Sequence, residues 1–257
     1  MSRKSIFSAV LVSFCLLLAV QIQAGDFKLA RGKFDTQEEH MLTDKVDAGL
    51  WDIQIIGGKD ATCERILLYL EKLTTFKVDK KVYFVDFKDL NKLTDYSFIF
   101  LHGSGTIVMS KLEKANMREY LNRGGFIFAE DCVYHKFFPM QTVPTPGYKR
   151  PFRYISDLFF KSFKKMIETD IYPGKKMQLL PMDHEVYHCM YSLPNGLPYM
   201  QGVPHGGYGM NDDKGRLSVF LSSNDIHCGW NDELFSNMKN SQAVMMMANL
   251  IVYAFSH

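Results

Sequence analysis

Short continuous apolar segments alternate with amphipathic segments of helical periodicity through the first half of the chain. The apolar segments are 51–56, 82–87, 98–102 and 126–129, and the helical segments are 61–74 and 109–122. A strand that is apolar at consecutive positions is buried on both faces, so its sheet must be covered by helices on both sides. The alternation therefore predicts an α/β fold with three layers, α/β/α, and a mainly parallel sheet.

The second half of the chain has a less regular pattern. We expect a helix at 153–168, strands at 177–180, 185–191 and 217–222, a hydrophobic helix at 241–255, and loops at 139–151 and 195–215, where proline and glycine are frequent. Residues 25–48 are polar and show no periodicity. They predict a loose N-terminal arm before a single domain at 49–257.

The first residues have the pattern of an export signal. Arg3 and Lys4 precede an apolar run at 6–20. A basic start, an apolar run and a small residue after it are typical of a secretory signal peptide, here 1–24, which would direct the protein to the periplasm or out of the cell. The alternative is an uncleaved anchor, 6–24, that holds the protein in the inner membrane.

Composition and charge exclude two classes of protein. The chain has 257 residues, of which 47% are hydrophobic, with 30 Lys and Arg against 28 Asp and Glu. It is too apolar for a disordered protein and too evenly charged for a polybasic nucleic-acid binder. Arg3 and Lys4 account for the net charge of +2, so the chain without its signal is formally neutral. We therefore expect no nucleic-acid partner and no membrane contact beyond an uncleaved anchor.

Four cysteines remain once the signal is removed: Cys63, Cys132, Cys189 and Cys228. An oxidising compartment permits two disulfides among them, with three possible connectivities. Buried thiols are an equally good interpretation, because a domain of this size does not need cross-links. The sequence leaves the two alternatives open.

Polar and glycine residues follow several of the predicted strands. They are 57–58, 102–105, 130–132 and, after the strand at 217–222, the segment 223–230. Ligands of parallel α/β sheets bind at the carboxyl ends of the strands. We expect a pocket for a small molecule or a protein partner there, formed by Gly103, Ser104, Asp131, His184, Asn224, Asp225 and His227. In the alternative interpretation, Asn224 and Asp225 only satisfy backbone groups of a loop.

Four ordered segments resemble the bacterial domain of unknown function 4159 family. They are LNRGGFIFAEDC at 121–132, LPMDHEVYH at 180–188, GRLSVFLSSNDIHCGW at 215–230 and NLIVYA at 249–254. The resemblance extends over about residues 50–255. It implies a flavodoxin-like domain related to class I glutamine amidotransferases, and it implies no activity.

The amidotransferase relationship suggests a second function, that of a hydrolase or amidotransferase-like enzyme. In those enzymes a strand delivers a nucleophilic cysteine at its carboxyl end, and Cys132 stands at such a place. His135, His184 or His188 would supply the base. The glycines that usually flank such a nucleophile are replaced by Asp131 and Val133. The candidate catalytic residues are Cys132, Asp131, His184 and Asp225. Among them, the carboxylates of Asp131 and Asp225 could form an acid/base pair or a cation site.

Metal ligation is a weaker hypothesis, with His184 and His188 as its candidates. On a helix, their spacing would suit zinc. The predicted strand at 185–191 instead separates them by ~13 Å at ~3.3 Å per residue, which is too far for one ion. Contributions from Asp183, Asp225, His227 and Cys228 would require distant segments to meet. The sequence therefore predicts no metal and no cofactor, and favours an exported binding or interaction module.

Overall fold

The computed structural model describes residues 27–37, 60–103, 105–132, 142–143, 153–154, 157–231 and 235–257. Its strands are β1 (Phe27–Lys33), β2 (Asp35–Gln37), β3 (Val78–Asp86), β4 (Phe98–Gly103), β5 (Thr106–Val108), β6 (Phe126–Asp131), β7 (Thr142–Val143), β8 (Arg153–Tyr154), β9 (Gln178–Leu179), β10 (Tyr208–Asn211) and β11 (Leu217–Ser222). Its α-helices are α1 (Ala61–Leu73), α2 (Leu90–Leu93), α3 (Lys111–Asn122), α4 (Leu158–Met166) and α5 (Asn237–Ser256).

A seven-stranded mixed sheet organises the chain, with the order β3-β1-β4-β6-β11-β10-β9. The strands β3, β1, β4, β6 and β11 are parallel to their neighbours in this order, whereas β10 runs antiparallel to both β11 and β9. Numbered along the chain, the five parallel strands therefore have the spatial order 2-1-3-4-5. The predicted α/β fold with a mostly parallel sheet is confirmed.

The two faces of the sheet carry separate apolar cores. Phe98, Phe100, Phe126 and Phe128 pack with α1 and α5 on one face. The residues between them, such as Ile99 and Leu101, pack with α2, α3 and α4 on the other. Successive side chains of a strand point to opposite faces, so runs that are apolar at every position require this double cover.

The predicted loose arm at 25–48 is wrong for its first part, because β1 pairs with both β3 and β4 inside the sheet. Its sequence, FKLARGK, interrupts apolar residues with charges, and Arg31 is nevertheless fully buried. Gly32 also lowers the apparent strand propensity. A Cβ at that position would lie 2.2 Å from the Leu101 side chain, so close packing against β4 requires glycine.

Three predictions for the second half need correction. The segment 185–191 is not a strand, since Glu185–Tyr187 form a 3₁₀ turn that His184 caps. The expected surface loop 195–215 contains β10 and the fully buried Gln201. The helix predicted at 153–168 begins at Leu158 and continues as a π-helical turn, Ile167–Ile171. The strand predicted at 51–56 lies outside the described residues.

The four cysteines are thiols, and no disulfide joins them in the described part of the chain. Within the same residues, no helix combines the length and the hydropathy that a membrane span would need. The signal segment 1–24 lies outside the described residues.

Candidate functional site

Neighbouring parallel strands end in buried polar residues at the same edge of the sheet. The register pairs His102 of β4 with Glu130 of β6, and Gly103 with Asp131. Ser222 at the end of β11 pairs with Glu130 from the other side. His102 and Glu130 thus continue the face that carries Phe100, while Asp131 points to the opposite face and contacts α4.

A buried ion pair joins β1 to the start of α1. The guanidinium of Arg31 donates to Oδ2 of Asp60 and, over 3.2 Å, to the backbone oxygen of His102. Oδ1 of Asp60 accepts the Cys63 N–H at 2.9 Å and so caps α1. Burial alone would raise the pKa of Asp60, but His227 and Arg31 together hold it well below its ordinary range.

Glu130 fixes the 3₁₀ turn Ile226–Trp230 that follows β11. Its two carboxylate oxygens accept the N–H groups of Ile226 at 2.6 Å and of His227 at 2.8 Å. Burial and then the charge of Asp225 raise the pKa of Glu130 to about 8, against the opposing effect of these two donors. The turn is thereby held so that the His227 ring enters the cluster at the sheet edge.

Asp60, Cys63 and His227 form a first group of convergent donor atoms. Nε2 of His227 lies 3.7 Å from Sγ of Cys63 and 3.8 Å from Oδ1 of Asp60. A catalytic Cys-His-Asp triad uses opposite ring nitrogens for the nucleophile and the carboxylate. Here one nitrogen faces both partners, so the three atoms surround a point instead of forming a relay.

A second group of the same composition lies beside the first. His102, Cys132 and Asp225 place their donor atoms within 4.8 Å of one another, as the first group also does. Nε2 of His102 is 3.6 Å from Oδ1 of Asp225. The ring centroids of His102 and His227 are 4.1 Å apart, so the two groups contact each other through these histidine rings.

We use the name edge cluster for this assembly, whose members are at most 1% exposed. It comprises Asp60, Cys63, His102, Glu130, Asp131, Cys132, Asp225 and His227.

A comparison with protein families identifies the chain. The model of a domain of unknown function, DUF4159, matches residues 54–255. The chain belongs to the DUF4159 family. No match is found among curated proteins. The family region includes every member of the edge cluster, whereas β1 and Arg31 lie before the DUF4159 match.

The two histidines of this DUF4159 protein have opposite protonation tendencies. Burial, together with the charge of His227, lowers the pKa of His102 to about 3. Burial also opposes protonation of His227, but hydrogen bonds with Asp60, Cys228 and Cys63 raise its pKa well above the ordinary value. The atoms that favour the protonated form of His227 are a carboxylate oxygen and sulfurs. Such atoms can also bind a cation.

The surroundings of Cys132 favour its protonated thiol over the thiolate. A hydrogen bond with the Cys228 thiol, burial, and the charges of Asp225 and Asp131 raise the pKa of Cys132 well above its ordinary value. A cysteine nucleophile needs the thiolate. Of the two thiols, Cys228 has the lowered pKa, mainly because Cys132 donates to it.

The structure brings together only some of the residues predicted from the sequence. Asp131, Cys132, Asp225 and His227 lie in the edge cluster, and Gly103 accepts the Cys132 N–H. Asn224 is buried beside them and donates to the Pro198 carbonyl. Ser104 and His135 lie outside the described residues.

His184 and His188 do not join the edge cluster. The His184 ring lies near Tyr253 in the last turns of α5, and its Nδ1 accepts the Val186 N–H at 3.2 Å. Nε2 of His188 contacts the Met182 carbonyl at 2.9 Å. Both histidines are therefore used in local turn structure.

A cavity of about 380 Å³ lies between α1 and α5, against Leu73, Val244 and Met245. None of the predicted ligand-binding residues lines it.

Asp60, Cys63 and Arg31 were missed in the sequence. For the first two a signal exists, because Asp60 stands three residues before Cys63 at the start of the predicted helix 61–74, where an N-cap carboxylate is expected. The first turn of that helix follows β1 and so lies at the carboxyl edge. Arg31 has no comparable signal.

Asp131 allows a test of electrostatic strain in the edge cluster. Oδ2 accepts the Phe160 N–H at 2.8 Å, and within the described residues Oδ1 is buried without a hydrogen-bond partner. Burial and then the charges of Asp157, Asp225 and Glu130 raise its pKa well above the ordinary range. The folded state therefore retains a proton that the unfolded state releases, and the contribution of Asp131 to stability falls as pH rises above about 4.

The variant Asp131→Asn keeps the acceptor for Phe160 and cannot ionise. We expect it to be more stable than the wild type by about 1–3 kcal/mol at pH 8, with a smaller difference at pH 5. Urea unfolding at both values measures this difference. A variant that is less stable than the wild type at pH 8 would show that the carboxylate is stabilising.

Proposed function

We propose that this DUF4159 protein is a ligand-binding module and that the edge cluster is its binding centre. The proposal includes a flavodoxin-like fold, because the order 2-1-3-4-5 of the parallel strands is the flavodoxin order. In that topology ligands bind where the strand order reverses. Here the reversal lies between β1 and β4, which carry Arg31 and His102.

The observation that supports binding most is a set of buried polar atoms whose hydrogen-bonding capacity is unused. Nδ1 of His102 and Oδ1 of Asp131 have no hydrogen-bond partner within the described residues, and Nε2 of His102 faces the Asp225 carboxylate from 3.6 Å, beyond ordinary hydrogen-bond distance. More than about 90% of buried polar groups in folded proteins have partners. A cluster with only a structural role would not retain this cost, whereas a ligand would remove it.

Backbone strain at Asp225 supports the same interpretation. It is the only non-glycine residue with a positive φ in the described part of the chain, at 53°. A left-handed conformation at such a residue costs about 1–3 kcal/mol and is frequent at ligand sites. Its carboxylate faces His102 and accepts a hydrogen bond from Gln201.

We place this module outside the cytoplasm, with residues 1–24 removed on export. Support comes from Arg3 and Lys4 before the apolar run at 6–20. A relationship to class I glutamine amidotransferases remains part of the proposal, whereas hydrolysis by Cys132 has less support because that thiol favours its protonated form.

The substitution His102→Phe tests whether the edge cluster is kept for binding. The His102 ring stacks on Phe100 at 5.5 Å between centroids and, with its pKa near 3, is neutral at pH 7. A phenyl ring would keep the stacking and remove both ring nitrogens, of which Nδ1 has no partner within the described residues. We expect the variant, measured without a bound ligand, to be more stable than the wild type by about 1–3 kcal/mol in urea unfolding.

His184→Phe is the matched control, because it changes a histidine that has a structural hydrogen bond to Val186. We expect it to lose about 1 kcal/mol. If His102→Phe destabilises the ligand-free protein as much as this control does, the edge cluster is a structural network and the proposed function fails.

A further inference from the structure

The two donor groups of the edge cluster have identical chemistry. Each offers one carboxylate oxygen, one imidazole nitrogen and one sulfur: Asp60, His227 and Cys63 in the first, and Asp225, His102 and Cys132 in the second. Imidazole and sulfur are ligands of zinc and related transition metals, while magnesium and calcium prefer oxygen alone. The composition therefore favours a soft or borderline divalent cation.

The measured separations fit a tetrahedral ion. Zinc bonds of about 2.0–2.3 Å at tetrahedral angles place neighbouring ligand atoms about 3.3–3.7 Å apart. In the first group, Nε2 of His227 lies 3.7 Å from Sγ of Cys63 and 3.8 Å from Oδ1 of Asp60. In the second, Nε2 of His102 lies 3.6 Å from Oδ1 of Asp225. These three separations lie within about 0.1 Å of that range, and the remaining pairs of donor atoms in each group lie within 4.8 Å of one another.

We propose that the edge cluster binds two divalent transition-metal ions of the zinc class, one in each group of three donors. This inference rests on the proposed function, because it names the ligand of the same site. Three protein ligands leave the fourth tetrahedral position open for water or another molecule.

Each of the two donor groups contains one buried carboxyl group, that of Asp60 in the first and that of Asp225 in the second. With its thiol deprotonated and its imidazole neutral, each group of three donors carries a charge of −2, which balances one divalent ion. Binding would release the protons of Cys63, Cys132 and His227, as metal binding to such ligands generally does.

Neighbouring side chains already orient the proposed ligands. Arg31 and the Cys63 N–H hold the carboxylate of Asp60, and Gln201 donates to that of Asp225. Glu130 holds the turn that carries His227. Outer hydrogen bonds of this kind fix the direction of metal ligands and raise affinity by about 10–100-fold.

The test uses the purified full chain, stripped with a chelator and titrated with Co²⁺ and Zn²⁺. Each sample is incubated to equilibrium because the cluster is buried. We expect two equivalents of either ion to bind, with sulfur-to-cobalt charge-transfer absorption and a higher unfolding temperature. Uptake of one equivalent or none, or cobalt spectra without thiolate bands, would overturn the proposal without requiring any variant.

Three cysteine-to-serine variants assign the ions to their groups. Cys63→Ser and Cys132→Ser are each expected to weaken one of the two binding steps by at least about 10–100-fold. Cys189→Ser is the matched control, since its sulfur donates to the Asn249 carbonyl away from the cluster. Binding that is unchanged in both cluster variants contradicts the assignment.

Failure of this inference differs from failure of the proposed function. If His102→Phe stabilises the chelator-treated protein but no metal binds, the edge cluster is a binding centre for another ligand. If His102→Phe destabilises it, the binding function itself is contradicted.

Discussion

A chain shortened to residues 54–257, close to the region that the DUF4159 model matches, is expected to lose cooperative folding. The truncation removes β1, which lies between β3 and β4 in the sheet. Phe27, Leu29 and Ala30 are each at most 2% exposed and contribute to both apolar cores. Their loss would leave two unpaired strand edges and two open cores, a cost beyond the typical stability of about 5–15 kcal/mol.

Urea unfolding monitored by tryptophan fluorescence measures this effect. Trp230 is fully buried and remains in the shortened chain, where it is the only tryptophan. We expect red-shifted emission and no sigmoidal transition. The control is a chain that begins at residue 25, which retains β1 and should unfold cooperatively. A cooperative transition of the 54–257 chain at the control's midpoint would mean that β1 does not support the sheet.

Arg31→Met is expected to lower the free energy of unfolding by about 3–5 kcal/mol. Methionine has a similar length but leaves Asp60 as a buried carboxylate without its guanidinium partner, and it removes the guanidinium N–H that donates to the His102 carbonyl. Breaking a buried pair from one side is costly because the remaining charge stays desolvated. Chemical unfolding of the chelator-treated protein gives the value.

A double-mutant cycle with Asp60→Asn separates charge from packing. Asparagine retains the N-cap of α1 through its side-chain oxygen and removes the charge. We expect Arg31→Met to cost much less when Asp60→Asn is present, which gives a coupling energy of about 1–3 kcal/mol. Additive losses in the double variant would indicate that Arg31 acts through packing alone.

The carboxyl edge of the sheet was predictable from a general property of parallel sheets, and three of the six donor residues, Cys132, Asp225 and His227, were among the candidates named from the sequence. Apolar runs before Glu130 and before Ser222 identify two strands, and parallel strands end at one edge. Asp131 and Asp225 both lie at this edge, although Asp131 faces α4 on the opposite side of the sheet. His184 lies elsewhere, because the segment after it folds as a 3₁₀ turn that uses its ring as a cap.

The sequence by itself determined the α/β class, the strands β4, β6 and β11, and the edge where polar residues collect, because burial on two faces imposes a local apolar pattern. Only the tertiary structure decided that β1 enters the sheet and that Arg31, Asp60 and Cys63 belong to the site. A charged residue can be buried only when its partner is present, and the partner of Arg31 lies 29 residues away in the chain. No local pattern records such a pairing, so the composition of the two donor groups became visible only in three dimensions.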